Sequence, residues 1–164
     1  MGVTGEEPSI RNVDPRPRIK EFVAVYRRAY EGLEVYAYRR TQEIVGYLRW
    51  LHKRAPEGFL AAFLEGYPVG FIAVDYRWHD HRGEPVGEIH EFAVDPAFQR
   101  RGIGTRLCLA GLDVLRAKGH RRFGLWVGEH NQRAQALYER LGFYRVGQWG
   151  IWIRMEKRDE PSSP

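Results

Sequence analysis

Residues 99–105 read Gln-Arg-Arg-Gly-Ile-Gly-Thr, between an apolar run that ends at Val94 and an amphipathic segment over residues 103–118. A turn at the start of a helix leaves backbone N–H groups without intrahelical partners, at the positive end of the helix dipole. The two glycines let a ligand approach the backbone closely, and the two arginines add positive charge. The stretch therefore predicts a phosphate-binding turn between a strand and a helix.

Two common phosphate-binding loops do not fit this turn. A Walker A loop requires Lys-Ser or Lys-Thr after its second glycine, but Gly104 is followed by Thr105 and Arg106. A dinucleotide-binding fingerprint requires a third glycine, and Leu107 occupies that position. The spacing that remains is Q-x-x-G-x-G, preceded by Val-Asp-Pro at residues 94–96.

A second motif, NQRAQALYERLGF, occupies residues 131–143. Together the two motifs resemble the signatures of the GNAT superfamily of N-acetyltransferases, Q-x-x-G-x-G and N-x-x-A-x-x-L-Y-x-x-x-G-F. The motifs and the segments around them cover residues 58–156. The resemblance implies an acetyltransferase that takes acetyl-CoA as its cosubstrate and a primary amine as its acceptor.

The resemblance also implies where acetyl-CoA binds. The strand that ends at Val94 would pair with the pantetheine amides as an added strand does, and the Val94 amide would polarise the thioester carbonyl. Asn131 would contact the CoA arm, although asparagine also suits a plain helix N-cap. The implied cofactor-binding residues are Phe92, Ala93, Val94, Gln99, Arg100, Arg101, Gly102, Ile103, Gly104, Thr105 and Asn131.

Tyr138 is the candidate general acid. By resemblance its hydroxyl would protonate the departing CoA thiolate, whereas the helix alone equally fits a core tyrosine whose hydroxyl finds another partner. Bacterial ribosomal-protein alanine acetyltransferases carry a glutamate twelve residues before this tyrosine, and Trp126 stands there in this chain. The activity of that subfamily is therefore not expected.

Three ionisable groups in the strand before the phosphate turn are candidates for the base. Charges in a half-buried strand are unfavourable unless they are used or paired. Glu91 and Glu88 are candidates of equal standing and His90 is the third, each with an arginine salt bridge as the structural alternative. In a regular strand Glu88 and His90 share one face and Glu91 lies on the other with Ile89 and Ala93, unless a bulge changes the phase.

Composition limits the remaining possibilities. The chain has 164 residues, 43% of them hydrophobic, and a net charge of +5, which fits one domain. The sequence has no run of 18 apolar residues, which argues against a membrane span, and its single cysteine, Cys108, excludes an internal disulfide. Its N-terminus does not resemble a secretory signal, so a cytoplasmic protein is expected. The basic residues are spread along the chain, so nucleic-acid binding is not expected. The sequence His-Asp-His at residues 79–81 is interpreted as a hairpin tip and not as a metal site.

Hydrophobic periodicity and turn residues predict an α/β fold in one domain. We expect one mixed central sheet with helices on both faces, and the resemblance implies that the sheet splays open to form an acetyl-CoA cleft between the strands ending at Val94 and Val127. Residues 1–8 are predicted to be flexible, residues 9–156 to form the domain, and residues 157–164 to form a disordered tail. Helices are predicted over residues 14–29, 41–54, 103–118 and 131–141, and the first two are expected to be capped by Asp14 and Thr41. Strands are predicted over residues 9–13, 59–64, 69–78, 86–94, 122–127, 143–145 and 148–155.

The acceptor remains open between a small molecule and a protein N-terminus or lysine. The first two helices and their connection would recognise it, since aromatic rings and carboxylates can hold a cationic amine; core packing is the alternative. Cys108 is poorly placed to be a nucleophile, which favours direct transfer in a ternary complex. An acyl-CoA sensor without turnover is the competing function, and the aromatic C-terminal strands allow a homodimer. The residues of the acceptor region are Tyr26, Tyr30, Glu31, Glu34, Tyr36, Tyr38 and Trp50.

Overall fold

Seven strands form one mixed sheet in the computed structural model, which describes residues 6–161. In chain order the strands are β1 (Ser9–Asn12), β2 (Phe59–Leu64), β3 (Tyr67–His79), β4 (Pro85–Val94), β5 (Arg122–Gly128), β6 (Tyr144–Trp149) and β7 (Trp152–Arg158). Across the sheet they lie in the order β1-β2-β3-β4-β5-β7-β6. The helices are α1 (Ile19–Ala29), α2 (Thr41–Arg54), α3 (Ile103–Ala117) and α4 (Gln132–Arg140).

Each face of the sheet has its own hydrophobic core. The apolar stripe of α1 and α2 packs on β2 and β3 around a cluster of phenylalanines, in which the rings of Phe59 and Phe71 stack with centroids 5.3 Å apart. The other face is covered by α3 and by Leu137 and Tyr138 of α4. This arrangement confirms the predicted mixed sheet with helices on both faces. Within residues 6–161, no helix combines the length and the hydropathy needed to cross a membrane.

The sheet splits where β4 and β5 diverge. The two strands are parallel and pair only from Gly87–Ile89 to Phe123–Leu125. Beyond that point β4 continues to Val94, paired with β3 alone, while β5 continues to Gly128, paired with β7. The split predicted between these strands is therefore present, and it leaves one edge of β4 free.

A bulge in β4 changes which side chains share a face. Ile89 pairs with Val74 and Glu91 pairs with Ala73, so His90 is an additional residue between them. Ile89 packs in the core under α3, whereas His90 and Glu91 both contact residues of α2 on the opposite face. The expectation that Glu91 shares a face with Ile89 is wrong, because the bulge reverses the alternation at this point.

The element boundaries differ from the predictions mainly near the ends of the chain. The last hairpin turns at Gly150, where φ is +57°, so the predicted strands 143–145 and 148–155 are displaced. The predicted domain end at residue 156 falls inside β7, and Asp159 accepts two hydrogen bonds from Arg116. Residues 6–8 are irregular, and the carbonyl of Pro8 accepts a hydrogen bond from Arg106. Residues 1–5 and 162–164 of the predicted flexible ends lie outside the described part of the chain.

The first helix begins later than predicted, and the second has the predicted bounds but a different N-cap. The carboxylate of Asp14 accepts from the Arg16 amide, and a 3-10 turn over Arg16–Arg18 precedes α1. The N-cap of α2 is Arg40, while the Thr41 hydroxyl accepts a hydrogen bond from Arg27.

In the hairpin between β3 and β4, Asp80 accepts hydrogen bonds from two backbone amides of the turn and forms a salt bridge with Arg122 at 2.7 Å.

Candidate active site

A cleft opens where β4 and β5 part, with roughly 400 Å³ of space that is partly open to solvent. It brings together seven residues that the sequence analysis named for the site. His90, Glu91 and Phe92 come from β4, Asn131 and Tyr138 from the start and middle of the α4 segment, and Tyr30 and Tyr36 from the predicted acceptor region. Glu88 and the phosphate turn do not line this cleft. Its other walls are largely aromatic, and the complete lining is Tyr30, Tyr36, Ile89, His90, Glu91, Phe92, Trp126, Val127, Gly128, Asn131, Ala134, Tyr138 and Trp152.

Glu91 is a buried carboxyl without a cationic partner among residues 6–161. The hydroxyl of Tyr47 donates to its Oε2 at 2.8 Å, and the hydroxyl of Tyr30 donates to its Oε1. Burial raises the pKa of Glu91 to about 7, although hydrogen bonds from the two tyrosines and from the Phe92 amide oppose the shift. The group therefore exchanges its proton near neutral pH, as a general base requires.

Glu88 is equally buried but has a counter-ion. Two guanidinium nitrogens of Arg154 donate to its carboxylate at 2.5 and 3.1 Å. Arg154 reaches across β5 at Gly124, where a Cβ atom would lie 2.0 Å from the guanidinium. Burial raises the pKa of Glu88, and the contacts with Arg154 oppose that shift. The arginine salt bridge considered as the alternative role is therefore present for Glu88.

Tyr138 presents its ring to the cleft from α4. The ring centroid lies 6.1 Å from that of Phe92 and 5.8 Å from that of Phe143. Burial raises the pKa of Tyr138 well above its ordinary value, so the phenol keeps its proton at neutral pH. Asn131 both lines the cleft and caps α4, because its side-chain oxygen accepts from the Ala134 amide at 3.3 Å.

The phosphate turn has the backbone geometry that its glycines predict. Gly102 has a φ of +76° and is the N-cap of α3. The first hydrogen bond of the helix runs from the Arg106 amide to the Gly102 carbonyl. The amides of residues 103–105 thus precede the first intrahelical donor. Arg100 also has a positive φ, +66°, which is uncommon outside glycine. Gly104 allows close packing on β4, because a Cβ there would lie 3.0 Å from the Phe92 ring.

The free edge of β4 presents alternate backbone groups to the split. The amide of Asp95, directly after β4, donates a hydrogen bond to the carbonyl of Val69 in β3 at 2.9 Å. Since backbone groups alternate along a strand, those of Val94 and Phe92 face the split and those of Ala93 face β3. The implied pairing of pantetheine with Ala93 is therefore not available through its backbone, and the side-chain amide of Gln99 lies 3.5 Å from the Val94 carbonyl.

Four residues of the site environment were not assigned to it from the sequence. Tyr47 shares a face of α2 with Ile44 and Leu51, so its helical spacing alone indicated a buried position. No pattern in the sequence around Arg154 indicated its role, because its partner Glu88 lies two strands away in the sheet. Trp126 and Trp152 lie opposite the β4 edge on β5 and β7, where strand alternation directs them to the cleft. The four residues are Tyr47, Trp126, Trp152 and Arg154.

Gly128 is expected to be intolerant of a side chain. A Cβ there would lie 2.5 Å from the Tyr36 ring, which packs on Trp152. The Tyr36 hydroxyl accepts a hydrogen bond from the His130 amide at 2.9 Å. Gly128→Ala should therefore lower the free energy of unfolding by about 1–3 kcal/mol in urea denaturation, as overpacking does. The control is Gly147→Ala, where a Cβ meets nothing within 4 Å; equal stabilities of the two variants would contradict the packing described.

The comparisons with known proteins agree with this geometry. A family model described as the acetyltransferase (GNAT) family matches residues 17–143. The uncharacterized N-acetyltransferase MJ1207 of Methanocaldococcus jannaschii is 39% identical over 151 residues, which cover 92% of this chain and 66% of that protein. The chain thus spans just under two thirds of that relative's length.

Solved structures share the whole fold. The crystal structure of PH1933 from Pyrococcus horikoshii OT3 has a TM-score of 0.86 and 40% identity, covering 94% of this chain and 100% of that one. The PaiA N-acetyltransferase of Thermoplasma acidophilum, solved in complex with coenzyme A, has a TM-score of 0.75 at 19% identity, with coverage of 94% and 100%, and shows the fold alone.

An open mixed sheet that splits beside a glycine turn at the start of a helix is the fold that the chain shares with these solved structures. The chain belongs to the GNAT acetyltransferase family. It is an N-acetyltransferase.

Proposed function

We propose that the chain transfers an acetyl group directly from acetyl-CoA to a primary amine, with Glu91 as the general base and Tyr138 as the general acid. One observation carries the proposal: a single cleft is lined by a carboxyl with a pKa of about 7 and by a buried tyrosine that stays protonated. These are the two protonation states that amine activation and thiolate departure require.

The phosphate turn and the β4 edge are suited to hold acetyl-CoA. The pyrophosphate would accept hydrogen bonds from the amides of residues 103–105, with the helix dipole and Arg100 and Arg101 adding to the attraction. The pantetheine arm would pair with the backbone of Phe92 and Val94, and Asn131 would contact it from the other side. The Val94 amide would then donate to the thioester oxygen and stabilise the tetrahedral intermediate.

The charge environment favours Glu91 over Glu88 as the base. Glu88 is engaged by Arg154 and lies outside the cleft lining, whereas Glu91 lines it and has only neutral donors. The amine would lose its proton to Glu91, directly or through a water molecule. Cys108 does not compete as a nucleophile, because burial raises its pKa to about 12, which supports direct transfer without an acyl-enzyme.

The acceptor end of the cleft suits a cationic amine. Tyr30, Tyr36, Trp126 and Trp152 line the cleft together with Glu91, and aromatic faces attract an ammonium group. We therefore propose a primary amine on a small molecule or on a protein N-terminus or lysine. A cytoplasmic location and a homodimer are also part of the proposal; for the dimer, Trp149 on the edge strand β6 is 79% exposed.

Ligand-induced thermal shifts test the assignment of the phosphate turn. Acetyl-CoA or CoA at about 100 times its Kd should add about 2.7 kcal/mol of stability, whereas ATP and NAD at matched ionic strength should add little. An equal shift with every polyanion would mean that the turn is a generic anion site. Thiol release with a panel of amines then separates an enzyme from an acyl-CoA sensor, which binds the cosubstrate but releases no CoA.

A further inference from the structure

Helix α1 holds the last part of β4 at every second residue. Tyr30, directly after the helix, donates to Glu91, and Ala93 packs in the core beneath the helix. Arg28, in the last turn of the helix, contacts Asp95 directly after the strand. The first of these contacts concerns the base. The last one concerns the segment that leads to the phosphate turn, and the proposed function does not yet use it.

Asp95 connects β4 with that segment, and all four of its polar groups are hydrogen-bonded. Its amide donates to the Val69 carbonyl and its carbonyl accepts from the Phe98 amide, both at 2.9 Å. The side-chain Oδ1 accepts from the Ala97 amide at 3.0 Å and so caps the 3-10 turn that follows. The other oxygen, Oδ2, accepts from Arg28 Nε at 2.6 Å. Of these four contacts, the one with Arg28 is the contact that reaches the helical layer.

The salt bridge with Arg28 compensates a buried charge. The Asp95 side chain is 7% exposed, and within residues 6–161 Arg28 is the one cation paired with it. The Arg28 side chain is 47% exposed, so water can solvate it without its partner. The carboxylate has no such alternative in place, and an uncompensated buried charge is unfavourable. Without the arginine, Asp95 would turn towards water and give up the bond that caps the turn.

The helix presents the guanidinium from a fixed position. Val25 and Tyr26 of the same helix are almost completely buried in the core, so the backbone at position 28 cannot follow a displaced Asp95. An ordinary surface salt bridge between two exposed side chains contributes little. This pair differs because its acidic member is buried and also caps a turn.

We propose that Arg28 is a positioning residue for acetyl-CoA and that it acts through Asp95. The inference rests on the proposed function, in which the end of β4 and the phosphate turn hold the cosubstrate. With Arg28 as its counter-ion, Asp95 stays turned inward and fixes the chain between the Val94 amide and the phosphate turn. Arg28 is not part of the cleft lining. It therefore sets the affinity for acetyl-CoA and not the rate of the chemical step.

Titration calorimetry with acetyl-CoA tests the proposal. Arg28→Met keeps most of the apolar stem and removes the charge. It should raise the Kd about tenfold, less than the loss of a fully buried pair would, because half of the arginine side chain already reaches water. Turnover at saturating acetyl-CoA should stay within about twofold of the wild type, since only binding is affected.

A double variant separates the charge of Asp95 from the rest of the arginine side chain. Asparagine at position 95 keeps an acceptor for the Ala97 amide but carries no charge. Arg28→Met combined with Asp95→Asn should therefore bind acetyl-CoA within about threefold of the wild type, so that the two substitutions are strongly non-additive. If Arg28→Met alone does not fold, a folded double variant with this affinity supports the proposal, and a double variant that also fails to fold overturns it.

Arg27→Met is the matched control. Arg27 is the exposed neighbour of Arg28 and donates to the Arg39 carbonyl and the Thr41 hydroxyl. Its loss should leave the Kd of acetyl-CoA unchanged. An unchanged Kd in Arg28→Met, or a double variant that binds as weakly as Arg28→Met, would overturn the proposal. A wild type that does not bind acetyl-CoA contradicts the proposed function itself, whereas equal binding by the wild type and Arg28→Met contradicts only the role of Arg28.

Discussion

Glu91→Gln is expected to lower kcat by about 10²–10⁴-fold, the range for a general base, with little change in the Kd of acetyl-CoA. Glutamine keeps the shape of the side chain and one acceptor for the Tyr30 and Tyr47 hydroxyls, but it cannot take a proton from the amine. The measurement is thiol release under saturating acetyl-CoA. Glu65→Gln, in the exposed turn between β2 and β3, is the matched control and should retain the wild-type rate.

The pH dependence of activity should show whether Glu91 is the base. Wild-type activity should rise with pH through about 7, as Glu91 ionises, and the rise should be absent in Glu91→Gln. Folding raises this pKa from 4.5 to about 7, so the folded state retains a proton that the unfolded state loses between these values. The free energy of unfolding contributed by Glu91 is therefore fully present below pH 4.5 and is lost by pH 7, a change of up to about 3 kcal/mol.

Glu91→Gln should accordingly be more stable than the wild type at pH 8 and of similar stability at pH 4. Urea denaturation at the two pH values measures both differences. A variant that loses activity and stability together at pH 8 would indicate that Glu91 supports the structure and is not the base.

Tyr138→Phe is expected to lower turnover by roughly 10–10³-fold. The substitution removes the proton donor for the departing thiolate but retains the ring that packs against Phe92 and Phe143. Acetyl-CoA binding and thermal stability should therefore stay close to the wild-type values. Tyr144→Phe, on the exposed edge strand β6, is the control for removal of a phenol. Unchanged turnover in Tyr138→Phe would remove the hydroxyl from the mechanism.

The strand, turn and helix around the phosphate site could be predicted because their determinants are local. Gly102 has the left-handed φ that its place before α3 requires, and the apolar spacing of α3 continues from Ile103 for four turns. The same holds for Tyr138, which its helical spacing places on the buried face with Leu137. Such features depend on neighbours within one helix or one turn, so a single sequence contains them.

The bulge at His90 could not be located in the same way. A period-two pattern predicts which residues share a face only as long as the partner strand keeps register, and the register changes between Ala73 and Val74 on β3. The sequence allowed for a bulge but offered no means to place it. Consequently the pairing of Glu91 with tyrosines of α1 and α2, which distinguishes it from Glu88, emerges only from the structure.

The displaced C-terminal hairpin has a similar cause. Residues 143–155 contain glycines at both 147 and 150, and either one can mark a turn. The turn forms at Gly150, which has the positive φ, while Gly147 lies at a register shift inside β6. Pairing of the resulting strands with β5 decides between the two glycines, and that pairing is a property of the whole sheet.

Glu88, Gly124 and Arg154 form a unit that cannot evolve one residue at a time. Loss of Arg154 leaves Glu88 buried without its counter-ion, and loss of Glu88 leaves Arg154 only its longer contact with Glu156, at 3.8 Å. Any side chain at position 124 would collide with the guanidinium. A lineage that departs from this trio must change at least two positions together or pass through a poorly folded intermediate. Descendants of this chain should therefore inherit the three residues jointly, whatever amine they come to use.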